Sequence, residues 1–87
     1  MSQPTIDIYT KFGCIYCMRA KKLLSEKGAD FNEHDVTLGG ESKKEMLERA
    51  PQARTVPQIF IGDTYVGGSD ELAALEREGK LDTLLQG

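Results

Sequence analysis

The chain has 87 residues and a formal net charge of -3, and we expect it to form a single small domain over residues 1–87. Its acidic and basic residues are interspersed, which argues against nucleic acid or an anionic membrane as a partner. Residues 1–5 lack the basic start and apolar core of a targeting signal, and no apolar run is long enough to span a bilayer. We therefore expect a monomer in a reducing cytoplasm.

The first predicted element is a strand at residues 5–10, where β-branched and aromatic side chains are frequent. Residues 11–13 form a connecting loop, and a helix is predicted over residues 16–27, ended by Gly28. The two cysteines of the chain therefore lie where this loop meets the helix.

Cys14 lies near the N-cap of this helix, and Cys17 follows three residues later. Free backbone N–H groups and the positive end of the helix dipole stabilise a thiolate at Cys14, and Lys11 adds a cation nearby. We predict that Cys14 is a nucleophile. Cys17, on the same side of the helix but deeper in the packed face, is predicted to resolve a mixed disulfide formed at Cys14.

Other uses of a cysteine pair fit the chain less well. A structural zinc site needs about four ligands, and beyond the two thiols the chain has one histidine, His34, which we expect to be a surface or half-buried side chain. Attachment of a c-type haem needs histidine directly after the second cysteine, where this chain has Met18. A purely structural disulfide would close a very short loop and stabilise the fold by only about 2 kcal/mol. Catalysis is therefore the favoured use.

A second strand is predicted at residues 30–36, and a right-handed crossover would set it parallel to the first. After a loop at residues 38–40, a charged helix is predicted over residues 41–50, ended by Pro51. The buried side of this helix is predicted to carry Met46, Leu47 and Ala50.

A third strand at residues 58–61, a tight turn at 62–64 and a fourth strand from Tyr65 predict an antiparallel hairpin. A helix then begins at an N-cap signal at residues 69–71, and leucines at its far end add a final helical turn or two. The predicted order of elements is β-α-β-α-β-β-α. The three phenylalanines are expected in the core or in a groove wall, namely Phe12, Phe31 and Phe60.

Two further segments favour a ligand site without requiring one. The proline of segment 55–57 cannot donate to a β-ladder and suits a strand start, and from the residues alone its peptide bond is expected to be trans. In segment 67–70, two glycines allow a ligand close to the backbone, and the helix start offers N–H groups to a carboxylate. The same segment is also compatible with an ordinary turn and N-cap.

Taken together, four segments of the chain resemble the glutaredoxin family, and the resemblance covers nearly the whole chain. They are Tyr9-Thr10-Lys11, Cys14-x-Tyr16-Cys17, Thr55-Val56-Pro57-Gln58-Ile59-Phe60-Ile61-Gly62 and Gly67-Gly68-Ser69-Asp70. The resemblance implies an α/β, thioredoxin-like fold with a four-stranded mixed sheet flanked by helices, in which the third strand is antiparallel to the βαβ pair. It also implies glutathione as co-substrate, with no permanently bound cofactor or metal.

The resemblance further implies a glutathione-binding set. Its members are Lys11, Tyr16, Thr55, Val56, Pro57, Gly68, Ser69 and Asp70. Pro57 would be cis, which turns the polar backbone groups of Val56 toward the groove.

Each charged group of glutathione is assigned a partner by the same resemblance. The γ-glutamyl carboxylate would meet the helix start at Ser69 and Asp70, and the carboxylate of Asp70 or Glu71 would hold the ammonium group. Lys11 would attract the glycyl carboxylate. Lys44 is a weaker candidate for that task, since a solvated surface lysine is an equally good interpretation.

By the same resemblance, the chain is a glutathione-dependent thiol–disulfide oxidoreductase that reduces protein–glutathione mixed disulfides and protein disulfides, such as that of ribonucleotide reductase. Ile15 departs from the family pattern, because dithiol relatives usually have proline there. Some relatives without that proline bind a [2Fe–2S] cluster between two subunits with glutathione as ligand, so a cluster carrier or sensor is the alternative function.

Overall fold

A computed structural model describes residues 4–86 of the chain. Within this range it has four strands and four helices: β1 Ile6–Thr10, α1 Ile15–Glu26, β2 Asn32–Asp35, α2 Gly40–Arg49, β3 Gln58–Ile61, β4 Thr64–Gly67, α3 Ser69–Arg77 and α4 Leu81–Gln86. Residues 1–3 and residue 87 lie outside the described residues. The prediction that residues 1–5 lack a targeting signal therefore falls partly outside the described range.

The four strands form one mixed sheet in the order β2-β1-β3-β4. β1 pairs in parallel with β2, with Ile8 opposite Glu33, and antiparallel with β3, with Ile8 opposite Ile59. β3 and β4 form the predicted antiparallel hairpin. The predicted fold class, a four-stranded mixed sheet flanked by helices, is therefore confirmed.

Side chains alternate along the central strands and fill a core on each face of the sheet. One core packs the sheet against α1, α3 and α4, and its buried members are Ile6, Ile8, Ala20, Leu24, Ala29, Ile59, Ile61, Leu72 and Leu81. The smaller core lies under α2, and its buried members are Tyr9, Val36, Met46, Ala50 and Phe60. The predicted burial of Met46 and Ala50 is confirmed.

Two apolar side chains are more exposed than the sequence pattern indicated. Leu47 of α2 is 36% exposed, so its predicted place on the buried side of the helix is wrong. Phe12 is 91% exposed in the loop after β1, so of its two predicted places, the core and a groove wall, the core is wrong, and it lies at the wall of a cleft beside the cysteines. Its backbone N–H donates to Thr37 Oγ1 at 2.8 Å, which fixes this loop while the ring faces solvent.

A polar cluster joins α2 to the sheet. The Asp7 carboxylate accepts from His34 Nε2 at 2.9 Å and from Arg49 Nη1 at 3.0 Å. The His34 ring also stacks on Tyr9 with centroids 4.7 Å apart, and the Tyr9 hydroxyl donates to the carboxylate of Glu45. His34 is thus the half-buried side chain that the sequence predicted, with a structural partner on β1.

None of the helices within residues 4–86 is both long enough and apolar enough to span a bilayer.

Candidate active site

Cys14 occupies the N-cap of α1, as the sequence predicts, with extended backbone angles of φ -87° and ψ 111°. Its Sγ accepts a hydrogen bond from the backbone N–H of Cys17 at 3.2 Å. One of the unpaired N–H groups of the helix start is therefore directed at this sulfur. Negative charge that develops on Cys14 Sγ would be stabilised by that N–H group and by the helix dipole.

Cys17 lies one turn further along α1 and is only 2% exposed. Burial, with a further contribution from the hydrogen bond to Cys14, raises the pKa of the Cys17 thiol to about 12. Both cysteines are free thiols in this structure. The pair thus combines a partly exposed sulfur at the surface with a buried one behind it, which remains protonated at neutral pH.

The peptide bond between Val56 and Pro57 is cis, in contrast to the trans bond expected from the residues alone. The Val56 carbonyl oxygen faces the active-site helix and accepts from the Cys14 thiol, with Sγ and O 3.7 Å apart. The sulfur therefore lies between the helix start and the segment before β3. The cis bond agrees with what the glutaredoxin resemblance implied.

Gln58, at the start of β3, fixes the segment of residues 55–57 through a side-chain hydrogen bond. Its Nε2 donates to the Thr55 carbonyl oxygen at 2.8 Å, and its Oε1 accepts from the Tyr65 hydroxyl on β4. The side chain is 5% exposed. Sequence reasoning missed this residue, although a glutamine within a strand of apolar side chains is a signal that a buried polar bond is needed.

A groove of about 380 Å³ begins beside Cys14 and runs along the segment before β3 to the start of α3. Its lining residues are Tyr16, Thr55, Val56, Pro57, Gly68, Ser69, Asp70 and Glu71. The structure therefore brings together seven of the eight residues that the sequence assigned to glutathione binding.

The start of α3 differs from the predicted cap by one residue. Gly68 is the N-cap and Ser69 the first helical residue, because Gly68 leaves room for the Glu71 side chain to fold back. Glu71 Oε1 accepts from the Gly68 N–H at 2.7 Å. A Cβ at Gly68 would lie 3.2 Å from that oxygen and 3.4 Å from the Pro57 carbonyl oxygen.

Lys11, the eighth predicted residue, lies outside the groove in an adjoining basic cleft of about 280 Å³. The cleft shares Thr55 and Val56 with the groove and also carries Lys43 and Arg54. Helix α2 directs Lys43 toward this cleft in place of Lys44, the residue named from the sequence. Both Lys43 and Arg54 were missed, because surface cations show no periodic pattern that assigns them to a site.

Among residues 4–86, no group of three or more histidine, cysteine, aspartate or glutamate side chains is placed to hold a metal ion. The partly exposed sulfur at the helix start, with a buried sulfur behind it and a groove beside it, can perform thiol chemistry.

Comparison with known proteins agrees with this site. The glutaredoxin family model matches residues 6–66. A glutaredoxin of Pseudomonas aeruginosa is 52% identical over 82 residues, which cover 94% of this chain and 96% of that protein. The solution structure of a glutaredoxin from Brucella melitensis superposes with a TM-score of 0.83 at 55% identity, covering 99% of this chain and 92% of that one.

A buckwheat glutaredoxin, solved as a glutathione complex, has a TM-score of 0.74 at 35% identity, and the match covers 95% of this chain and 76% of that one. The fold, the spacing of the two cysteines and the similarity to these relatives all indicate the same family across most of the sequence. The chain therefore belongs to the glutaredoxin family, whose members are thiol–disulfide oxidoreductases.

Proposed function

We propose that the protein reduces protein–glutathione mixed disulfides and protein disulfides at the expense of glutathione, with Cys14 as nucleophile and Cys17 as resolving thiol. The observation that carries the proposal is the position of Cys14 Sγ at the N-cap of α1, 3.7 Å from the Val56 carbonyl oxygen that also lines the groove. A sulfur so placed can attack a disulfide whose glutathione half lies in the groove.

The monothiol cycle needs only Cys14. Its thiolate attacks the glutathione sulfur of a mixed disulfide, and the protein thiolate leaves and takes up a proton from solvent. A second glutathione thiolate then attacks the sulfur of the glutathione bound to Cys14. Oxidised glutathione leaves, and the Cys14 thiolate is restored.

A protein disulfide takes a second route, because the intermediate is then a disulfide between Cys14 and the substrate protein. Cys17 attacks the Cys14 sulfur, the reduced substrate leaves, and a Cys14–Cys17 disulfide remains for two glutathione molecules to reduce. The burial of Cys17 directly behind Cys14 supports this role. The disulfide of ribonucleotide reductase is one candidate substrate for this second route.

The groove offers a partner to each part of glutathione, and the glutathione complex of the buckwheat relative supports its use here. The cysteinyl part would lie beside Val56, and the γ-glutamyl carboxylate would accept from the N–H groups at the start of α3. Because the Glu71 carboxylate is engaged by the Gly68 N–H, we assign the ammonium group to Asp70. The glycyl carboxylate would lie toward the basic cleft of Lys11, Lys43 and Arg54.

The test is glutathione-dependent reduction of a glutathionylated peptide by the wild-type protein and by its Cys14→Ser and Cys17→Ser variants. We expect turnover to be abolished in Cys14→Ser and retained in Cys17→Ser. A peptide with an internal disulfide provides the matched assay, in which both variants should fail. Absence of turnover in the wild type with either peptide would refute the proposed function.

Dependence on glutathione itself is tested by replacing it with free cysteine at the same thiolate concentration. Cysteine has the same reacting group but lacks the γ-glutamyl and glycyl parts that the groove would bind. We expect the second step to become much slower with cysteine. Equal rates with the two thiols would show that the groove does not select glutathione.

The [2Fe–2S] alternative raised by Ile15 is not carried into the proposal. Such a cluster would be held by Cys14 and glutathione from two subunits, and the described residues of the single chain give no observation that favours this assembly over thiol chemistry.

A further inference from the structure

A second cleft, of about 370 Å³, opens on the side of the active-site helix where Cys17 lies. Cys14 and Cys17 both line it, and the charged side chains that face Cys17 across it are Lys11, Lys21, Glu33 and Asp35. The cleft is distinct from the groove along Val56 and Pro57, and of the residues proposed to bind glutathione it contains Lys11.

Lys21 and Glu33 form an ion pair in this cleft, with Nζ and Oε2 2.9 Å apart. Lys21 follows Cys17 by four residues on α1 and therefore lies on the same face of the helix, one turn away. Glu33 belongs to β2, and the buried Thr10 hydroxyl donates to the same Oε2 at 2.7 Å. The carboxylate is thus fixed from β1 and holds the ammonium group in the cleft that Cys17 also lines.

We propose that Lys21 is the electrostatic partner of Cys17: its ammonium group, positioned by Glu33, stabilises the thiolate that Cys17 must become when it attacks the Cys14 mixed disulfide. The inference rests on the proposed function, since it gives a role to the residue that serves the resolving thiol. Lys21 and Glu33 act through Cys17 and are positioning residues.

The need for such a partner follows from the burial of Cys17. Burial raises the pKa of its thiol, and the neighbouring Cys14 thiol raises it further. Two groups lower it, a hydrogen bond with the backbone of Lys11 and then the charge of Lys21. In the mixed disulfide Cys14 no longer bears a thiol or a negative charge. Burial is then opposed by the Lys11 backbone and by Lys21, and Lys21 is the side-chain charge among these two, so the amount of reactive thiolate depends in part on its ammonium group.

Asp35, the other acid in the cleft, is engaged by Thr37, whose backbone N–H donates to Asp35 Oδ1 at 2.8 Å. Lys11 lies on the loop after β1 and is exposed. Among the cations that line the cleft, Lys21 is therefore the one that an ion pair fixes in place on the helix that carries Cys17.

The step balances without a further reactant. Cys17 gives its thiol proton to solvent, and its sulfur electron pair forms a bond to Cys14 Sγ. The bond between Cys14 and glutathione breaks, and its electron pair stays on the glutathione sulfur, which takes up a proton from solvent. Glutathione is reduced to its thiol and Cys17 is oxidised, while the Cys14 sulfur stays in a disulfide.

Glu33 has two effects of opposite sign. It positions the ammonium group, but its negative charge also offsets part of the field that Lys21 creates at Cys17. Hydrogen bonds from Lys21 and Thr10 lower the pKa of the Glu33 carboxyl, so it is ionised at neutral pH. A glutamine at this position keeps an oxygen that can accept from Lys21 and Thr10 while it removes the charge.

The test measures glutathione release from the Cys14 mixed disulfide, formed by mixing the reduced protein with oxidised glutathione and followed by rapid acid quenching and mass spectrometry. Rates are compared between about pH 6 and 9, below the ordinary pKa of lysine. The variants are Lys21→Gln, Lys21→Arg and Glu33→Gln. Lys22→Gln is the matched control, because it removes the same charge one residue along the helix, outside the lining of the cleft.

The closing step is the attack of Cys17 on the mixed disulfide, which forms the Cys14–Cys17 disulfide. We expect Lys21→Gln to slow this step about threefold for each unit by which the pKa of Cys17 rises. The thiolate fraction falls tenfold per unit, and the greater nucleophilicity of a more basic thiolate restores part of the rate. Lys21→Arg should behave as the wild type, and Glu33→Gln should close faster. A Lys21→Gln rate equal to that of Lys22→Gln at every pH would overturn the proposal, as would a Glu33→Gln rate that falls with that of Lys21→Gln.

A second measurement separates this inference from the proposed function. If the wild-type mixed disulfide accumulates without closing, the resolving role of Cys17 fails. In the Cys14→Ser protein, the rate at which iodoacetamide alkylates Cys17 between about pH 6 and 9, where Lys21 is protonated, reports the same electrostatic coupling without formation of the Cys14–Cys17 disulfide. We expect Lys21→Gln to lower that rate and Lys22→Gln to leave it unchanged, and an unchanged rate in Lys21→Gln would refute the role of Lys21.

Discussion

The carboxylate of Glu71 folds back over the start of α3 and accepts from the backbone N–H of Gly68 at 2.7 Å. Asp70, one residue earlier, is exposed at the wall of the same groove. The sequence left open which of these two acids would hold the ammonium group of glutathione. Because Glu71 already serves as a helix cap, we propose Asp70 as the partner of the ammonium group.

Replacing Asp70 with asparagine should therefore raise the KM for glutathione about fivefold, since an exposed ion pair contributes about 1 kcal/mol. Glu71→Gln should change that KM by less than about twofold, because the glutamine oxygen can still accept from the Gly68 N–H. Steady-state kinetics at varied glutathione concentration distinguish the two variants. A larger effect of Glu71→Gln than of Asp70→Asn would reverse the assignment.

Lys43 and Lys44 are neighbours on α2 that differ in direction, and only Lys43 lines the basic cleft. Lys43→Gln should raise the KM for glutathione about twofold to threefold at low ionic strength, with a smaller effect in high salt. Lys44→Gln, which removes the same charge, should leave KM unchanged. With γ-glutamylcysteine, which has no glycyl carboxylate, we expect Lys43→Gln and the wild type to behave alike, and a persistent difference would place the effect of Lys43 elsewhere.

The buried amide of Gln58 fixes the Thr55 carbonyl oxygen and so positions the segment that carries Val56. Gln58→Leu should lower the free energy of unfolding by about 1–3 kcal/mol, because it removes two part-buried hydrogen bonds, each contributing about 0.5–1.5 kcal/mol. It should also raise the KM for glutathione. Tyr65→Phe is the control, since it removes a bond to the same side chain but leaves the Thr55 contact intact, and its KM should stay near that of the wild type.

The positions of the two cysteines were predictable because local signals determine them. A strand of β-branched residues, a short loop and a helix start place Cys14 at the N-cap, and the structure has it there. The antiparallel hairpin was equally predictable, since Gly62 and the apolar runs around it are typical of a tight turn between strands. In both places the signal lies within about ten residues of the element it predicts.

Contacts between segments distant in the chain were not predictable from the residues alone. The cis bond before Pro57 is one example, because only a minority of such bonds are cis and it was expected only from the family resemblance. The direction of Lys43 depends on how α2 packs on the sheet through Met46 and Ala50. The exposure of Phe12 likewise results from the bond between its N–H and Thr37, which comes from a different loop.

Phe12 and Phe60 allow a direct test of the exposed position of one phenylalanine against the buried position of another. Phe60 packs against Tyr9, Tyr65 and the Arg49 guanidinium in the smaller core, so Phe60→Ala should lower the free energy of unfolding by about 3–5 kcal/mol. Phe12→Ala should change it by less than about 0.5 kcal/mol, as for other surface substitutions. Urea denaturation of both variants measures the two values, and comparable losses would contradict the exposed position of Phe12.

Asp7 should make the stability of the protein depend on pH. Burial opposes ionisation of this carboxyl, but hydrogen bonds from His34, Arg49 and Asn32 outweigh that effect and lower its pKa below the ordinary value of 3.8. A carboxyl with a lowered pKa in the folded state contributes stability above its unfolded pKa and loses it as the pH falls through its folded pKa. The contribution of Asp7 is therefore complete at neutral pH and disappears in strong acid.

Asp7→Asn should consequently be less stable than the wild type at pH 7, by about 1–2 kcal/mol, because the Arg49 guanidinium loses its charged partner. The difference should shrink as the pH is lowered from about 4 toward 2, where Asp7 becomes protonated in the wild type as well. Urea denaturation of both proteins at a series of pH values measures this convergence. Glu41→Gln serves as the control, since it removes an exposed carboxylate on α2 that lies outside the Asp7 cluster. If the difference in unfolding free energy between wild type and Asp7→Asn were the same at all pH values, the lost stability would come from packing and not from charge.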